Sequence, residues 1–276
     1  MIRISIISLI YKSTRLADWV YGSIHKYTPM LRTGEAEFYF VANDASMKVI
    51  ENLKSKSYIF YEFNNKKYSD CELFKMGFSY PEYMRRVYRG YNYGILKARG
   101  QIVVLVNSDN FFSKDWLENL LKYYDNKKII SSQLVEPRHK KHDVFESAIH
   151  QEFGSTSNSF DENAFATFVE RQKVTGVYVG GAYMPCMIDK NVAIYSGLYP
   201  SGNIAGRDYK EIKKTGDVFF FEKLKEMGVE HLTSMDSIVY HLKEGEMDEG
   251  ASDDQTMTQD ENEVEFSAYS CIRKVA

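Results

Sequence analysis

Cysteine is scarce in this chain. There are three, Cys71, Cys186 and Cys271, far apart and with no CxxC pair. An odd, sparse count argues against a disulfide framework and for a reducing, cytoplasmic compartment. Long apolar runs are missing too. None reaches about 18 residues, which excludes a bilayer-spanning helix. Any membrane contact would have to be peripheral. The opening MIRISIISLI is apolar but short, lacks a small-residue cleavage site and breaks at Tyr11-Lys12. It reads as a buried strand and not as a signal peptide. Phosphate-cradling glycine loops are absent as well. Without GxGxxG or GxxxxGK[ST], a nicotinamide-type Rossmann fold and a P-loop are both disfavoured. There is no internal repeat and no low-complexity tract.

What is present is ordinary for a folded enzyme-sized unit. The 276 residues suffice for one large domain, and 44% hydrophobic with 26% charged residues excludes a disordered or collagen-like chain. The formal charge of −3 is unevenly spread. Residues 246–276 hold nine Asp/Glu and two Lys/Arg, net −7, which leaves residues 1–245 at +4. A body at +4 is too weak to imply nucleic acid, though it suits small anionic ligands. The expected organisation is therefore a catalytic domain over 1–245 and a flexible acidic tail over 246–276, with a short element at 263–275.

Strands and helices alternate over the first 135 residues, which predicts an α/β fold with a mostly parallel central sheet flanked by helices. Strands are expected at 2–10, 37–42, 57–63, 101–106 and 128–135, with a helix at 15–27. Ser79-x-x-Glu82 reads as a capping box, with Pro81 in the first turn of a helix that runs to Arg99 and stops at Gly100. Ser113 is expected to cap a helix to about Tyr124. Residues 136–172 read as irregular, with a basic knot at Arg138-His139-Lys140-Lys141-His142. Strand broken by Gly180-Gly181 follows over 174–188. A helix lies between Gly216 and Gly228, and a last strand over 235–241.

Three polar clusters follow apolar strands: Tyr11-Lys12-Ser13, Asn43-Asp44-Ala45-Ser46 and Asn107-Ser108-Asp109-Asn110. In a parallel sheet they crowd onto one edge, where ligands of open α/β sheets bind. A carboxylate there can hold Mg²⁺ or Mn²⁺, which shares its remaining ligands with substrate phosphates. Asp109 is placed for this. On position alone a turn aspartate is as good a reading.

Several segments together carry a family resemblance. Arg3 to Lys12 and Asn43-Asp44-Ala45-Ser46 come first. Asn92-Tyr93-Gly94, Ala98-Arg99-Gly100 and Asn107-Ser108-Asp109 follow, then Gly180-Gly181-Ala182, Gly216-Asp217-Val218 and His241. In this order and spacing the chain resembles the GT-A-fold glycosyltransferases of the family 2 type, over roughly residues 2–242. The resemblance implies a GT-A fold, with a nucleotide-sugar-binding half over 1–135 and an acceptor half over 136–245. The family's first strand usually ends Pro-x-Tyr-Asn; Leu9 and Lys12 replace the Pro and the Asn here. The resemblance assigns Ile10 and Tyr11 to the donor. Asn43 stands for the first Asp of the nucleoside-contacting Asp-Asp-Gly-Ser, which leaves Asp44. Asn92 is implied to bind the nucleoside, and Gly181 to line the donor sugar. Asn107-Ser108-Asp109 stands for Asp-x-Asp: Asn107 and Ser108 are expected at the donor and Asp109 on the metal. Asp217 survives from a Glu-Asp pair and would be the general base of an inverting reaction. An N-cap aspartate is the plain alternative. His241 would be the second metal ligand. The basic knot and Arg207-Asp208 could line the acceptor.

The implied activity is a metal-dependent, inverting, hexosyltransferase-like enzyme using Mn²⁺ or Mg²⁺. It would move a sugar from a nucleotide-sugar donor, UDP-sugar favoured, to a glycan, lipid-linked or other hydroxyl acceptor. Two rivals stand. The Asn residues at 43 and 107 fit a catalytically silent nucleotide-sugar-binding protein. A sugar nucleotidyltransferase shares the layout, but its glycine-rich loop after the first strand has no counterpart in residues 8–16.

Overall fold

The computed structural model describes residues 2–137 and 146–242. The basic knot at 138–142 and the acidic segment 246–276, including the element expected at 263–275, lie outside the described residues.

The first strand, β1 (Ile4–Ile10), is apolar on both faces and leads to helix α1 (Thr14–Tyr27), whose cap is Ser13. A short turn of helix, α2 (Met30–Thr33), precedes β2 (Ala36–Asn43), α3 (Met47–Ser55) and β3 (Phe60–Phe63). Next come α4 (Asp70–Lys75), the long α5 (Glu82–Lys97), β4 (Ile102–Val106) and β5 (Asn110–Phe112). Helix α6 (Trp116–Leu121), strand β6 (Lys128–Glu136), β7 (Ile149–His150) and α7 (Glu162–Gln172) follow. The chain continues through β8 (Val177–Val179), β9 (Cys186–Asp189), α8 (Lys190–Tyr195), β10 (Ile204–Ala205) and β11 (Ile212–Lys214). It reaches α9 (Gly216–Glu226) and β12 (Glu230–His241) last.

The central sheet runs β3-β2-β1-β4-β9-β6-β12-β5, with β7 beside β6 and β8 beside β12. Strands β3, β2, β1 and β4 are mutually parallel, as are β6 and β12. Strand β9 runs antiparallel between β4 and β6. The register sets Ile10 opposite Ala42, and Ser8 opposite Val106. The carboxyl ends of β1, β2 and β4 therefore share one edge, and the three polar clusters lie along it.

Both faces of the sheet are covered. Ile4, Ile6 and Ile10 pack with Val20 of α1, Leu53 of α3 and Trp116 of α6. Ile7 points the other way, with Tyr88, Tyr91 and Ile95 of α5 and Phe220 of α9. Period-two alternation along β1 thus feeds two cores. Helix α5 lies close on the sheet because Gly94 has no side chain. A Cβ there would stand 2.6 Å from Ile7 Cγ2 and 3.2 Å from Val41 Cγ2.

Local readings needed correction in several places. Ser79 does not cap α5: its hydroxyl donates to the Tyr80 carbonyl, and the cap position falls to Pro81, which has no side-chain acceptor. The actual capping box is Ser69 with Glu72, at α4. Ser113 is not a cap either. Helix α6 begins after Asp115, which adopts a left-handed φ of 64°, and ends at Leu121. The segment expected to be irregular contains α7, capped by Asp161. The last strand starts at Glu230, not 235. Its first half is polar, and it shifts register against β6 between Ser234 and Ile238.

Candidate active site

The turn after β4 is built by its own asparagines. Asn107 donates its N–H to Asn110 Oδ1 at 2.9 Å, and Asn110 returns its N–H to the Asn107 carbonyl at 3.3 Å. This presents Asp109 at the sheet edge. The Asp109 carbonyl accepts the Leu242 N–H at 3.1 Å, which ties the turn to the end of β12. Register then brings His241 opposite Asn110. His241 Nε2 lies 3.3 Å from Asp109 Oδ2, and Nδ1 lies 2.7 Å from Glu136 Oε1. Burial disfavours the imidazolium, but the two flanking carboxylates outweigh it and raise the His241 pKa to about 10. Without other ligands His241 is charged at neutral pH.

Two adjoining cavities open at this point. One, about 250 Å³, is lined by Leu9, Val87, Tyr91, Asn107, Ser108, Asp109 and His241. The other, about 220 Å³, shares Val87, Tyr91, Asn107 and His241 and adds Glu136, Tyr183, Met184 and Asp217. Tyr91 fixes the shared wall, because its hydroxyl contacts the Val106 carbonyl at 2.9 Å and Asn107 Oδ1 at 3.1 Å.

Asp217 reaches the second cavity from the first turn of α9. The cap residue there is Thr215, so Asp217 is not the N-cap. Its Oδ1 accepts the Val218 N–H at 2.8 Å. The turn is pinned by Gly216, whose N–H donates to Tyr88 Oη and to Asn203 Oδ1.

A third group stands at the ends of β1 and β2. Asp44 has a φ of 51°, a conformation aspartate tolerates better than most residues. Its Oδ1 accepts the Asn65 N–H at 2.8 Å, and Oδ2 pairs with Arg86. The Arg86 guanidinium lies 5.1 Å from the Tyr11 ring centroid. Tyr11 and Asp44 are thus joined through an arginine that the sequence reading did not single out.

Three expected donor residues are engaged elsewhere. Asn92 donates to the Tyr199 carbonyl at 2.9 Å and accepts the Tyr199 N–H at 3.0 Å, and it lines neither cavity. The Ile10 side chain is fully buried in the core. Gly181, with a φ of 112°, lies against β12. A Cβ there would stand 2.0 Å from Thr233 Oγ1, so packing alone requires the glycine. Asp208 closes its own loop, accepting the N–H of Lys210 at 2.8 Å. Glu136, by contrast, belongs to the cleft and was overlooked. It is the last residue of β6, and only the β6–β12 register, Val135 opposite Tyr240, reveals that it meets His241.

Among the described residues, no group of three or more His, Cys, Asp or Glu is arranged to hold an ion by itself. The donor set does fit an ion that takes most of its ligands from phosphate and water. Octahedral Mg²⁺ with ligands at about 2.1 Å spaces neighbours about 3 Å apart. Asp109 Oδ2 and His241 Nε2, at 3.3 Å, match that edge. Glu136 on Nδ1 would hold the ring with Nε2 toward the ion, as second-sphere carboxylates do.

Comparison with known proteins agrees with the fold. Residues 82–192 match the family model described as glycosyl transferase family 2. That stretch includes Asn107 to Asp109 and ends before Asp217 and His241. No curated protein matches the chain. Solved structures do. GalNAc-T7 with UDP, GalNAc and Mn²⁺ is 16% identical, with a TM-score of 0.52 over 87% of this chain and 44% of that one. The mannosyltransferase PcManGT from Pyrobaculum calidifontis, in complex with GDP-Man and Mn²⁺, is 12% identical, with a TM-score of 0.52 over 87% and 56%. S. aureus TarS 1–349 is 13% identical, with a TM-score of 0.55 over 87% and 60%. The chain thus spans 44% to 60% of the length of these structures. Its fold is GT-A, the fold of nucleotide-sugar glycosyltransferases. Within that fold, the family 2 glycosyl transferase model matches residues 82–192, two fifths of the chain.

Proposed function

We propose that the protein is an inverting glycosyltransferase that moves a sugar from a nucleotide-sugar donor to a hydroxyl acceptor with the help of Mn²⁺ or Mg²⁺. The observation that carries this reading is the convergence of Asp109, His241 and Asp217 on two adjoining cavities at the carboxyl edge of the sheet. The catalytic unit is residues 1–245, with the donor held by 1–135 and the acceptor by 136–245. It acts in the cytoplasm and meets any lipid-linked acceptor at the membrane surface. No helix among the described residues is long and apolar enough to cross a membrane.

Asp44, Arg86 and the end of β1 at Ile10-Tyr11 form the nucleoside end, where Ile10 contributes backbone only. Asn107 and Ser108 flank the diphosphate. Asp109 and His241 would hold the divalent ion, which would supply positive charge against that building on the departing diphosphate. Glu136 holds His241 through Nδ1 and so leaves Nε2 directed at Asp109. Asp217 takes the proton of the acceptor hydroxyl as that oxygen attacks the anomeric carbon, and the bond to the diphosphate breaks on the opposite face. GalNAc-T7 with UDP and PcManGT with GDP-Man leave the base open between uracil and guanine. We favour a UDP-sugar on the family resemblance.

Thermal-shift titration with UDP, GDP, CDP and dTDP, with and without Mn²⁺, identifies the base. The reading fails if no nucleotide sugar is bound or hydrolysed. Asp217→Asn should abolish transfer and keep nucleotide affinity within about threefold, a change well under 1.4 kcal/mol. Normal turnover in that variant would remove Asp217 as the base. Metal-dependent binding without turnover in the unaltered protein would identify a binding protein instead.

A further inference from the structure

Asp217 has less of the sheet beneath it than its neighbours in the cleft. Asp109 and His241 stand at strand ends of the central sheet, whereas Asp217 follows β11, which pairs with β10 in a separate two-stranded ribbon. Helix α9 packs on the sheet further along, through Phe220, Phe221 and Leu224. Its first turn has no cap of its own, because the Thr215 side chain makes no capping bond. We infer that this turn is positioned from α5, by Tyr88 directly and by Asn92 through Tyr199, so that both are positioning residues for the proposed base. The inference rests on the reading of Asp217 above, and it moves Asn92 from the donor side of the site to the base.

The missing cap is the first argument. The N–H groups of a helix's first turn have no partner within the helix. Gly216 donates to Tyr88 Oη at 3.1 Å and to Asn203 Oδ1 at 3.0 Å, and Tyr88 Oη donates to the same Asn203 oxygen at 3.1 Å. All three residues are buried. This closed triangle replaces a local cap with one supplied from another helix and a loop. It is also tight. A Cβ on Gly216 would stand 2.3 Å from Tyr88 Cε2, so only glycine lets the turn come this close to the ring. Asp217 is the next residue, and it lines the same cavity as Tyr88.

What holds Tyr88 is the second argument. Tyr88 and Asn92 lie four residues apart, on one face of α5. Asn92 donates to the Tyr199 carbonyl at 2.9 Å and accepts the Tyr199 N–H at 3.0 Å, pairing with that backbone as a neighbouring strand would. The Tyr199 ring, held there, lies between the two helices. It stacks on Tyr88 at 5.6 Å with 7° between the planes, and on Phe220 of α9 at 4.2 Å. Phe220 sits one turn beyond Asp217. Asn92 thus fixes the ring that spaces α5 from α9, and with it the place of the base on the cavity wall. A base must come within hydrogen-bond reach of the proton it takes, and a misplacement of about 1 Å can cost about 100-fold in rate.

The test reads turnover and binding separately in Asn92→Ala and Tyr88→Phe. The second variant keeps the stacked ring and removes only the hydroxyl. Hydrolysis of UDP-glucose, UDP-N-acetylglucosamine, UDP-galactose and GDP-mannose with Mn²⁺ is followed by release of the nucleoside diphosphate, water taking the acceptor's place. Affinity for UDP and GDP is read by calorimetry. On the donor hydrolysed fastest, kcat should fall at least about tenfold in Asn92→Ala and about threefold in Tyr88→Phe, with nucleotide Kd within about twofold of the unaltered protein. The Gly216 amide should also exchange about tenfold faster in Tyr88→Phe, a readout that needs no substrate. A loss of nucleotide affinity in Asn92→Ala with kcat kept would return Asn92 to the donor and refute the inference. Unchanged kcat in both variants, or unchanged Gly216 exchange, would refute it as well. If the unaltered protein hydrolyses no donor, or Asp217→Asn hydrolyses as fast, the base reading itself fails and takes the inference with it.

Discussion

Acidification should unfold this protein through His231, at the start of β12. Its Nε2 lies 2.9 Å from Ser131 Oγ, and the ring packs edge-on against Phe221 at 4.6 Å. Burial lowers its pKa to about 4. The folded state therefore holds it neutral while the unfolded chain, with an ordinary histidine, takes up a proton below about pH 6.5. A histidine lowered in the folded state contributes stability that is fully present above about pH 6.5 and is lost as pH falls toward 4. At about 1.4 kcal/mol per pH unit, and allowing for partial titration, the loss between pH 7 and 4.5 comes to about 2 kcal/mol. That is a large share of the stability of a typical domain. Replacing the ring by a carboxamide isolates the effect. His231→Gln can still accept from Ser131 but cannot titrate. We expect it to cost about 1 kcal/mol at pH 7. Urea unfolding of both proteins in chelator, at half-unit steps from pH 8 to 4.5, should show the two stabilities converging and then crossing. Other carboxylates and histidines titrate equally in both, so the difference curve reports His231 alone. A difference that stays constant across the range would refute the reasoning.

Other expectations are more local. Glu136→Ala should weaken Mn²⁺ binding about 10- to 100-fold in a calorimetric titration with nucleotide present, because the ring of His241 loses its orienting partner; unchanged affinity would detach Glu136 from the metal site. Gly181→Ala should destabilise the fold by about 2 kcal/mol or more in chemical denaturation, since both the positive φ and the contact with Thr233 oppose a side chain.

The sheet was legible because its parallel strands are buried on both faces. Residues 102–106 are a continuous apolar run, and residues 4–10 are broken only by Ser5 and Ser8. Helix α7 was legible in principle. Asp161 before Phe165, Phe168 and Val169 is a cap followed by helical spacing, but the polar residues between them hid it. The first half of β12 was not legible at all. Ser131 and Ser132 of β6 and Thr233 and Ser234 of β12 are fully buried, and the Ser132–Ser237 hydroxyl contact at 2.9 Å satisfies polar groups that a hydropathy pattern reads as surface. Only tertiary pairing makes such a strand.

The site divides the same way. Asp109 was singled out because it follows an apolar strand, and His241 through the family resemblance; the fold sets the two side chains 3.3 Å apart. Asn92 shows the limit of that method. A residue matched to a donor contact spends both ends of its amide on the Tyr199 backbone, which no spacing argument foresees. Glu136 and Arg86 show the converse, since each enters only through a neighbour from a distant segment.

The cleft also changes the meaning of the net charge. Residues 1–245 sum to +4, which suggests a welcome for anions. Locally the balance is the reverse. Asp109, Glu136 and Asp217 face the two cavities with His241 as the only cation in their linings. Arg86 is already paired with Asp44. A diphosphate entering this space meets more negative charge than positive, at distances where the summed charge of a remote surface is screened. Freeing His241 Nε2 for a ligand removes its positive charge and worsens the balance further. A divalent cation would reverse the sign at that point, beside Asp109 Oδ2 and His241 Nε2. A metal is called for here less by any one residue than by the excess of carboxylates in a site proposed to hold a diphosphate.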